Sequence, residues 1–207
     1  MPTYKLSYFD ARALAEPARI ILSINKIPFE DHRVTVEEWA ELKKTTPFGQ
    51  LPVLYIDGVP IGQSMAITRL LARKFGLAGK NELEEAQIDG IIDQYKDFIY
   101  FFRQFTSITF FKEDPAIIAN VAKTVVEPAR DVYLAILNKI LATSKSGFLV
   151  GDQLSWADIV IADNLTSLIK NGFLDQEKEK KLMTFYEKIH GIPAIKEFVA
   201  NRKDLKI

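Results

Sequence analysis

Residues 46–64 read TPFGQLPVLYIDGVPIGQS. Thr46 to Pro52 carries proline and glycine and reads as a loop. Residues 52–56, PVLYI, are a compact apolar strand. Asp57-Gly58 is a strong hairpin signal, from which Val59-Pro60-Ile61 returns. Ser64 can then cap a helix over Met65 to Phe75. Two positions leave alternatives open. Pro52 cannot donate to a ladder, so it either simply opens the strand or follows a cis Leu51–Pro52 bond that a tight turn selects. In the second case the backbone of Leu51 is free to pair with an extended ligand. Gln63-Ser64 is either a plain cap or a helix start whose free N–H groups hold a carboxylate.

Outward from this hairpin the chain supplies the rest of a small α/β domain. Residues 3–9, TYKLSYF, alternate Tyr4, Leu6 and Tyr8 on one strand face. Residues 14–26 look helical, with Pro17 in an early turn. Ile27 through Val36 suggests a second strand, and VEEWAELKK a short helix. The resulting order is β-α-β-α-β-β-α. Gly76 to Asn81 holds two glycines and reads as a linker. Beyond it the period changes to helical throughout. Asn81 with Glu84 resembles a capping box ahead of a long helix to about Phe111. Asp114-Pro115 restarts a second helix to about Thr143, and Ser155 with Asp158 forms another box before an apolar helix. Lys178 to His190 and Pro193 to Asn201 supply two more. Two domains follow, 1–78 and 82–207.

Composition narrows the chemistry. The 207 residues include 27 Lys plus Arg and 27 Asp plus Glu, so the basic surplus of a nucleic-acid binder is missing. There is no cysteine, which excludes disulfides, a Cys zinc site and a cysteine nucleophile. Any thiol chemistry must use a ligand's sulfur. The N-terminus MPTYKLSYFD has no apolar signal region, and a cytosolic protein without membrane attachment is expected. His32 and His190 match no metal spacing and read as surface or packing residues. Tyr8, at a strand end, is either a half-buried strand residue or a hydroxyl placed to donate to an anion. Asp89, Asp93 and Asp97 share one helix face, either solvated or answered by a cation.

The chain resembles a cytosolic glutathione S-transferase of the sigma class or the closely similar nematode type. The resemblance rests on YKLSYFDAR, Trp39 and Lys43 in EEWAELKK, TPFGQLPVL, Gln63-Ser64 in IGQSMAITRLLAR, Asp97 and GDQLSWADI. It runs from residue 3 to beyond 200. It implies a thioredoxin-like α/β N-terminal domain, an all-α C-terminal domain carrying the electrophile pocket and part of a dimer interface, and a homodimer. The implied activity is conjugation of glutathione to apolar electrophiles, a detoxification reaction in which glutathione is a co-substrate and no cofactor or metal is needed. Tyr8 would donate its hydroxyl to the glutathione sulfur. Trp39 and Lys43 would bind the glycine carboxylate. Gly49, Gln50 and Leu51 would line the peptide, with Leu51 before a cis-Pro52. Gln63 and Ser64 would hold the γ-glutamyl carboxylate, and Asp97 of the partner subunit its ammonium. Phe9 and Leu14 would face the electrophile.

Sigma-class relatives often carry arginine where this chain has Leu14. Prostaglandin D synthases of the class carry tryptophan where Gln104 stands and an acid where Lys96 stands, so a prostaglandin isomerase is the weaker reading. An alternative function is storage of bulky apolar ligands such as haem-like compounds, suggested by Phe98, Phe101, Phe102, Phe105, Phe110 and Phe111; core packing explains that run equally. A crystallin-like structural role has no physical need for Tyr8, Gln63, Ser64 and Asp97.

Overall fold

The computed structural model describes residues 2–205. They form two compact units, one of the residues up to Ala78 together with those from Ile189 onward, the other Gly79–Lys188.

The first unit is built on a four-stranded sheet in the order β2-β1-β3-β4. The strands are β1 (Tyr4–Phe9), β2 (Glu30–Val34), β3 (Val53–Ile56) and β4 (Val59–Gly62). β1 and β2 are parallel and joined through helix α1 (Glu16–Ile24), while β3 runs antiparallel to both β1 and β4. The turn between β3 and β4 has Asp57 at φ 51° and Gly58 at φ 81°. Two successive left-handed residues match the right-handed twist of a two-residue hairpin, as the Asp-Gly pair requires. α1 packs against α3 (Ser64–Lys74), and the pair buries Ile20, Ile21, Leu22, Ile67 and Leu71. α2 (Val36–Leu42) buries none of its residues.

Several expectations shift here. The second strand is shorter than 27–36 because Thr35 caps α2, its Oγ1 accepting the amide of Glu38 at 3.1 Å. α1 is preceded by a 3-10 turn, Ala13–Ala15, so the expected helix at 14–26 enters through a tighter turn. Ser64 is not the cap of α3 but its first residue. The cap is Gln63, at φ 71° and ψ 110°, without a side-chain capping bond. Helix α9 (Pro193–Asn201) packs on α1, so the C-terminal part of the expected 82–207 segment groups with the α/β unit.

The second unit is helical. α4 (Glu82–Phe110) is 29 residues long, and the Asn81 side chain accepts from the amides of Leu83 and Glu84. α5 (Pro115–Val121), α6 (Glu127–Thr143) and α7 (Trp156–Lys170) follow, and the unit ends at Lys188 within α8 (Lys180–His190). The single helix expected from Asp114 to Thr143 is interrupted by a π-helical turn at Ala122–Val126. Pro128 is the physical cause: it has no N–H to donate, and its ring clashes with the carbonyl four residues back, so the preceding turn widens. α7 is buried on nearly every side and opens with the expected capping box. Asp158, fully buried, accepts from the Ser155 amide at 2.8 Å, the Ser155 hydroxyl at 2.7 Å and the Leu149 amide at 2.8 Å. Burial pushes its carboxyl above the ordinary value, against the pull of these donors and of the Lys188 charge.

The aromatic run of α4 is largely core. Phe98 stacks on Tyr133 of α6 with ring centroids 4.4 Å apart, and Phe102 and Phe105 meet Phe173 edge-on at 5.8 and 4.9 Å. Phe101, Phe110 and Phe111 are exposed.

Candidate active site

Tyr8 lies near the C-terminal end of β1, opposite Arg33 in register and buried to 9 % exposure. Its ring is 5.9 Å from that of half-buried Phe9, which in turn meets the Trp39 ring of α2 edge-on at 5.8 Å. Leu14 sits half-buried in the 3-10 turn that follows. The β1–α1 turn thus carries Phe9 and Leu14, and α2 adds Trp39 to the Phe9 side.

The α2–β3 loop and the β4–α3 junction come together. Gln63 donates from Nε2 to Oε1 of Gln50 at 3.4 Å. Leu51–Pro52 is cis, resolving the alternative left open at that proline. Gly49 has φ 61°, and a Cβ there would lie 3.7 Å from Cε of Lys43, so the lysine stem lies alongside this glycine. Ser64 opens α3, its carbonyl accepting the Thr68 hydroxyl at 2.8 Å. Lys43, Gln50 and Gln63 are solvent-exposed. Tyr8, Phe9, Leu14, Trp39, Lys43, Gly49, Gln50, Leu51, Gln63 and Ser64 all belong to one unit.

Asp97 belongs to the other unit, exposed on α4. It edges a groove of about 490 Å³ whose other walls include Phe101, Val132, Pro128 and two residues of the π turn, Thr124 and Val125.

Two sets of residues near Tyr8 escaped the sequence reading. Arg19, 1 % exposed, lies beneath Tyr8, with Cζ 5.9 Å from the ring centroid. It pairs with Glu16 at 3.0 Å and Asp31 at 2.9 Å and donates to the Ala11 carbonyl at 2.8 Å. The C-terminal tail closes over the same turn: Arg202 pairs with Glu16 at 2.9 Å, Lys203 with Asp10 at 2.9 Å, and Arg12 donates to the Leu205 carbonyl at 3.0 Å. The spacing of Glu16 and Arg19 was a signal for the first pair; the tail contacts, nearly 200 residues away in sequence, left none. The second set is Ser7, His32 and Glu38, whose side chains are linked in a row. Among the described residues no cluster of His, Cys, Asp or Glu could hold a metal, and no helix is long and apolar enough to cross a membrane.

Residues 4–73 match the model of the glutathione S-transferase N-terminal domain, and residues 100–202 that of the glutathione S-transferase C-terminal domain. The chain belongs to the glutathione S-transferase family. It is 69 % identical to glutathione S-transferase 4 of Caenorhabditis elegans over 204 residues, 99 % of each chain. Among solved structures, the glutathione S-transferase of Ascaris lumbricoides is 42 % identical, with a TM-score of 0.90 over 99 % of this chain and 100 % of that one. A glutathione S-transferase of the hookworm Necator americanus, described as monomeric, is 39 % identical, with a TM-score of 0.90 over 99 % of this chain and 100 % of its own. The α/β unit is therefore the thioredoxin-like domain of a glutathione S-transferase and the helical unit its partner domain. Transferases of this family take glutathione as a co-substrate and need no resident cofactor.

Proposed function

We propose that this transferase ionises the thiol of bound glutathione against the Tyr8 hydroxyl and delivers the thiolate to apolar electrophiles. A free thiol ionises near pH ~8.5, so only ~3 % is thiolate at pH 7. Thiolate is the nucleophile. A neutral O–H donor fixed before the sulfur arrives stabilises the charged form without reorganising at the moment of reaction. A shift of about 2 pH units makes most of the bound thiol ionised and corresponds to about 2.7 kcal/mol. The sulfur–carbon bond then forms, the electrophile's leaving group departs or its double bond takes up the electron pair, and the thiol proton passes to solvent.

The observation that carries this reading is the clustering of Tyr8, Phe9, Trp39, Lys43, Gly49, Gln50 and Gln63 on one α/β unit in a chain of this family. Trp39 and Lys43 bind the glycine carboxylate, and the lysine stem runs alongside Gly49. Gln50 and the backbone of Leu51 meet the peptide. Gln63 and Ser64, at the start of α3, hold the γ-glutamyl carboxylate where helix amides converge. Half-buried Phe9 and Leu14 give the electrophile an apolar wall. Asp97 of the partner subunit meets the γ-glutamyl ammonium, so the working form is a cytosolic homodimer with one domain boundary near Ala78. The monomeric hookworm relative makes sedimentation of this chain a direct check: a monomer with full activity would remove Asp97 from the site.

The test of the chemistry is the rate of conjugation of glutathione to a generic aryl halide across pH, for wild type and Tyr8→Phe. The wild-type rate should rise through an apparent pKa well below ~8.5, and the variant should lose about 25-fold at pH 7 as its thiol returns to the free value. An unchanged profile in Tyr8→Phe would sink the tyrosine mechanism.

A further inference from the structure

His32 of β2 has both ring nitrogens engaged. Nδ1 lies 3.0 Å from the Ser7 hydroxyl, and Nε2 lies 2.9 Å from Oε1 of Glu38. Ser7 precedes Tyr8 on β1 and is 1 % exposed. Glu38 precedes Trp39 on α2, the helix that ends at Lys43. One imidazole thus ties the strand bearing Tyr8 to the helix bearing Trp39. The wiring is that of a serine–histidine–carboxylate triad, but the Ser7 hydroxyl is sealed in the core, where no substrate reaches it. The row is structural wiring, and it is satisfied whether or not the ring is charged. In the neutral ring Nε2–H donates to Glu38 and Nδ1 accepts from Ser7; in the charged ring both nitrogens donate, and the Ser7 oxygen accepts.

α2 needs such a tie. It has seven residues, too few to be stable by itself, and none of them is buried. Besides the Thr35 cap and the edge-on contact of Phe9 with Trp39, the His32–Glu38 contact fastens it to the sheet.

We propose that His32 is a positioning residue for glutathione. Through Ser7 and Glu38 it holds α2, and with it Trp39 and Lys43, in the orientation that receives the tripeptide. This rests on the reading of Trp39 and Lys43 as glutathione contacts. If α2 is ordered before the ligand arrives, that ordering is not charged against binding. If the tie is cut, only the fraction of molecules with α2 in place binds, and apparent affinity falls by that fraction. Saturating glutathione restores the order, so kcat is spared.

The test is steady-state kinetics and calorimetric titration with glutathione on His32→Phe, Glu38→Ala, Glu38→Gln, Trp39→Ala and Lys43→Ala. Glu38 is 44 % exposed at its side chain, so its variants keep the fold even if His32→Phe, which strands the buried Ser7 hydroxyl, does not. Glu38→Ala should raise KM and Kd for glutathione about three- to tenfold, the scale of one ordinary hydrogen bond at a partly exposed site, with kcat and the KM of the electrophile unchanged. Glu38→Gln, which keeps an acceptor for Nε2–H, should recover most of the affinity. Amide exchange along α2 should quicken in Glu38→Ala and slow again when glutathione is added. If Trp39→Ala and Lys43→Ala weaken glutathione binding but Glu38→Ala does not, the bridge has no positioning role. If none of the four α2 variants alters glutathione binding, the assignment of α2 to the glutathione site fails, and the proposal falls with it. A parallel fall of kcat in Glu38→Ala would also overturn it.

Discussion

Replacing Arg19 by methionine keeps an unbranched side chain of similar length in the core and deletes its charge. The cost can be worked from its partners. Asp31 is 30 % exposed at its side chain and retains Arg33 at 2.7 Å, so its loss is that of a screened pair, under ~1 kcal/mol. The Ala11 carbonyl still faces Arg33 Nη1 at 3.3 Å. Glu16 decides the sum. Its side chain is 2 % exposed, and removal of one partner from a fully buried pair costs about 3–5 kcal/mol. Arg202, 2.9 Å away, remains and favours the lower end. Arg19→Met should therefore destabilise the protein by about 3 kcal/mol, a fall of about 1 M in urea midpoint for a slope near 3 kcal/mol/M. Equilibrium urea unfolding followed by circular dichroism measures it. Because the penalty is an uncompensated carboxylate, adding Glu16→Gln to Arg19→Met should restore part of the loss. A cost under ~1 kcal/mol, or a double variant that loses the full sum of the two single changes, would refute the argument.

Two further outcomes follow from the same geometry. Asp158 is held above its ordinary value of 3.8 by burial, so its contribution to stability is fully present below that value and is lost as pH rises through its elevated folded value. The stability of wild type relative to Asp158→Asn should accordingly be greater at pH 4 than at pH 7 in urea titrations; the opposite slope would show that the amide and hydroxyl donors outweigh burial. Ending the chain after Asn201 removes Arg202 from Glu16 and the Leu205 carbonyl from Arg12, both buried partners. The loss should be about 2 kcal/mol, or about 4–8 °C in Tm, and an unchanged melting point would mean the tail contacts add nothing.

What the sequence made legible was local. The alternation of Tyr4, Leu6 and Tyr8, the Asp57-Gly58 turn and the Ser155–Asp158 box each encode their conformation within a few residues and appear as read, while at Asn81 the cap forms but the Glu84 carboxylate takes the Lys80 amide at 2.8 Å, so the expected box is only half closed. At Pro52 and Gln63 local chemistry left two answers, and the family resemblance, not spacing, favoured one. The errors have local causes as well. Pro128 loosens the helix it sits in to a π turn, and Ser64 has the chemistry of a cap while the preceding Gln63 takes that place with a positive φ its side chain does not signal. What could not be read was pairing across distance. Ser7 meets His32 from 25 positions away, and Glu16 meets Arg202 from 186. Each of these residues looks ordinary in its own neighbourhood, and its partner is chosen by the fold.

The π turn at Ala122–Val126 can be viewed as an adjustment of helical phase. Each residue rotates an α-helix by 100°, so one residue gained or lost inside a helix turns everything upstream away from its neighbours. A π turn absorbs one extra residue in a single loosened coil. Here Val126, Tyr133 and Leu137 are all buried although Pro128 lies between them, and Ile118 on α5 is half-buried. Excising a single residue such as Lys123 would convert the loosened coil to regular α-helix and leave α5 on its present face, whereas the same excision within α6 would swing α5 by about a quarter of a turn. This segment is thus where the helical domain can change length by one residue while α6 stays in place against α4, a natural seam for insertions and deletions.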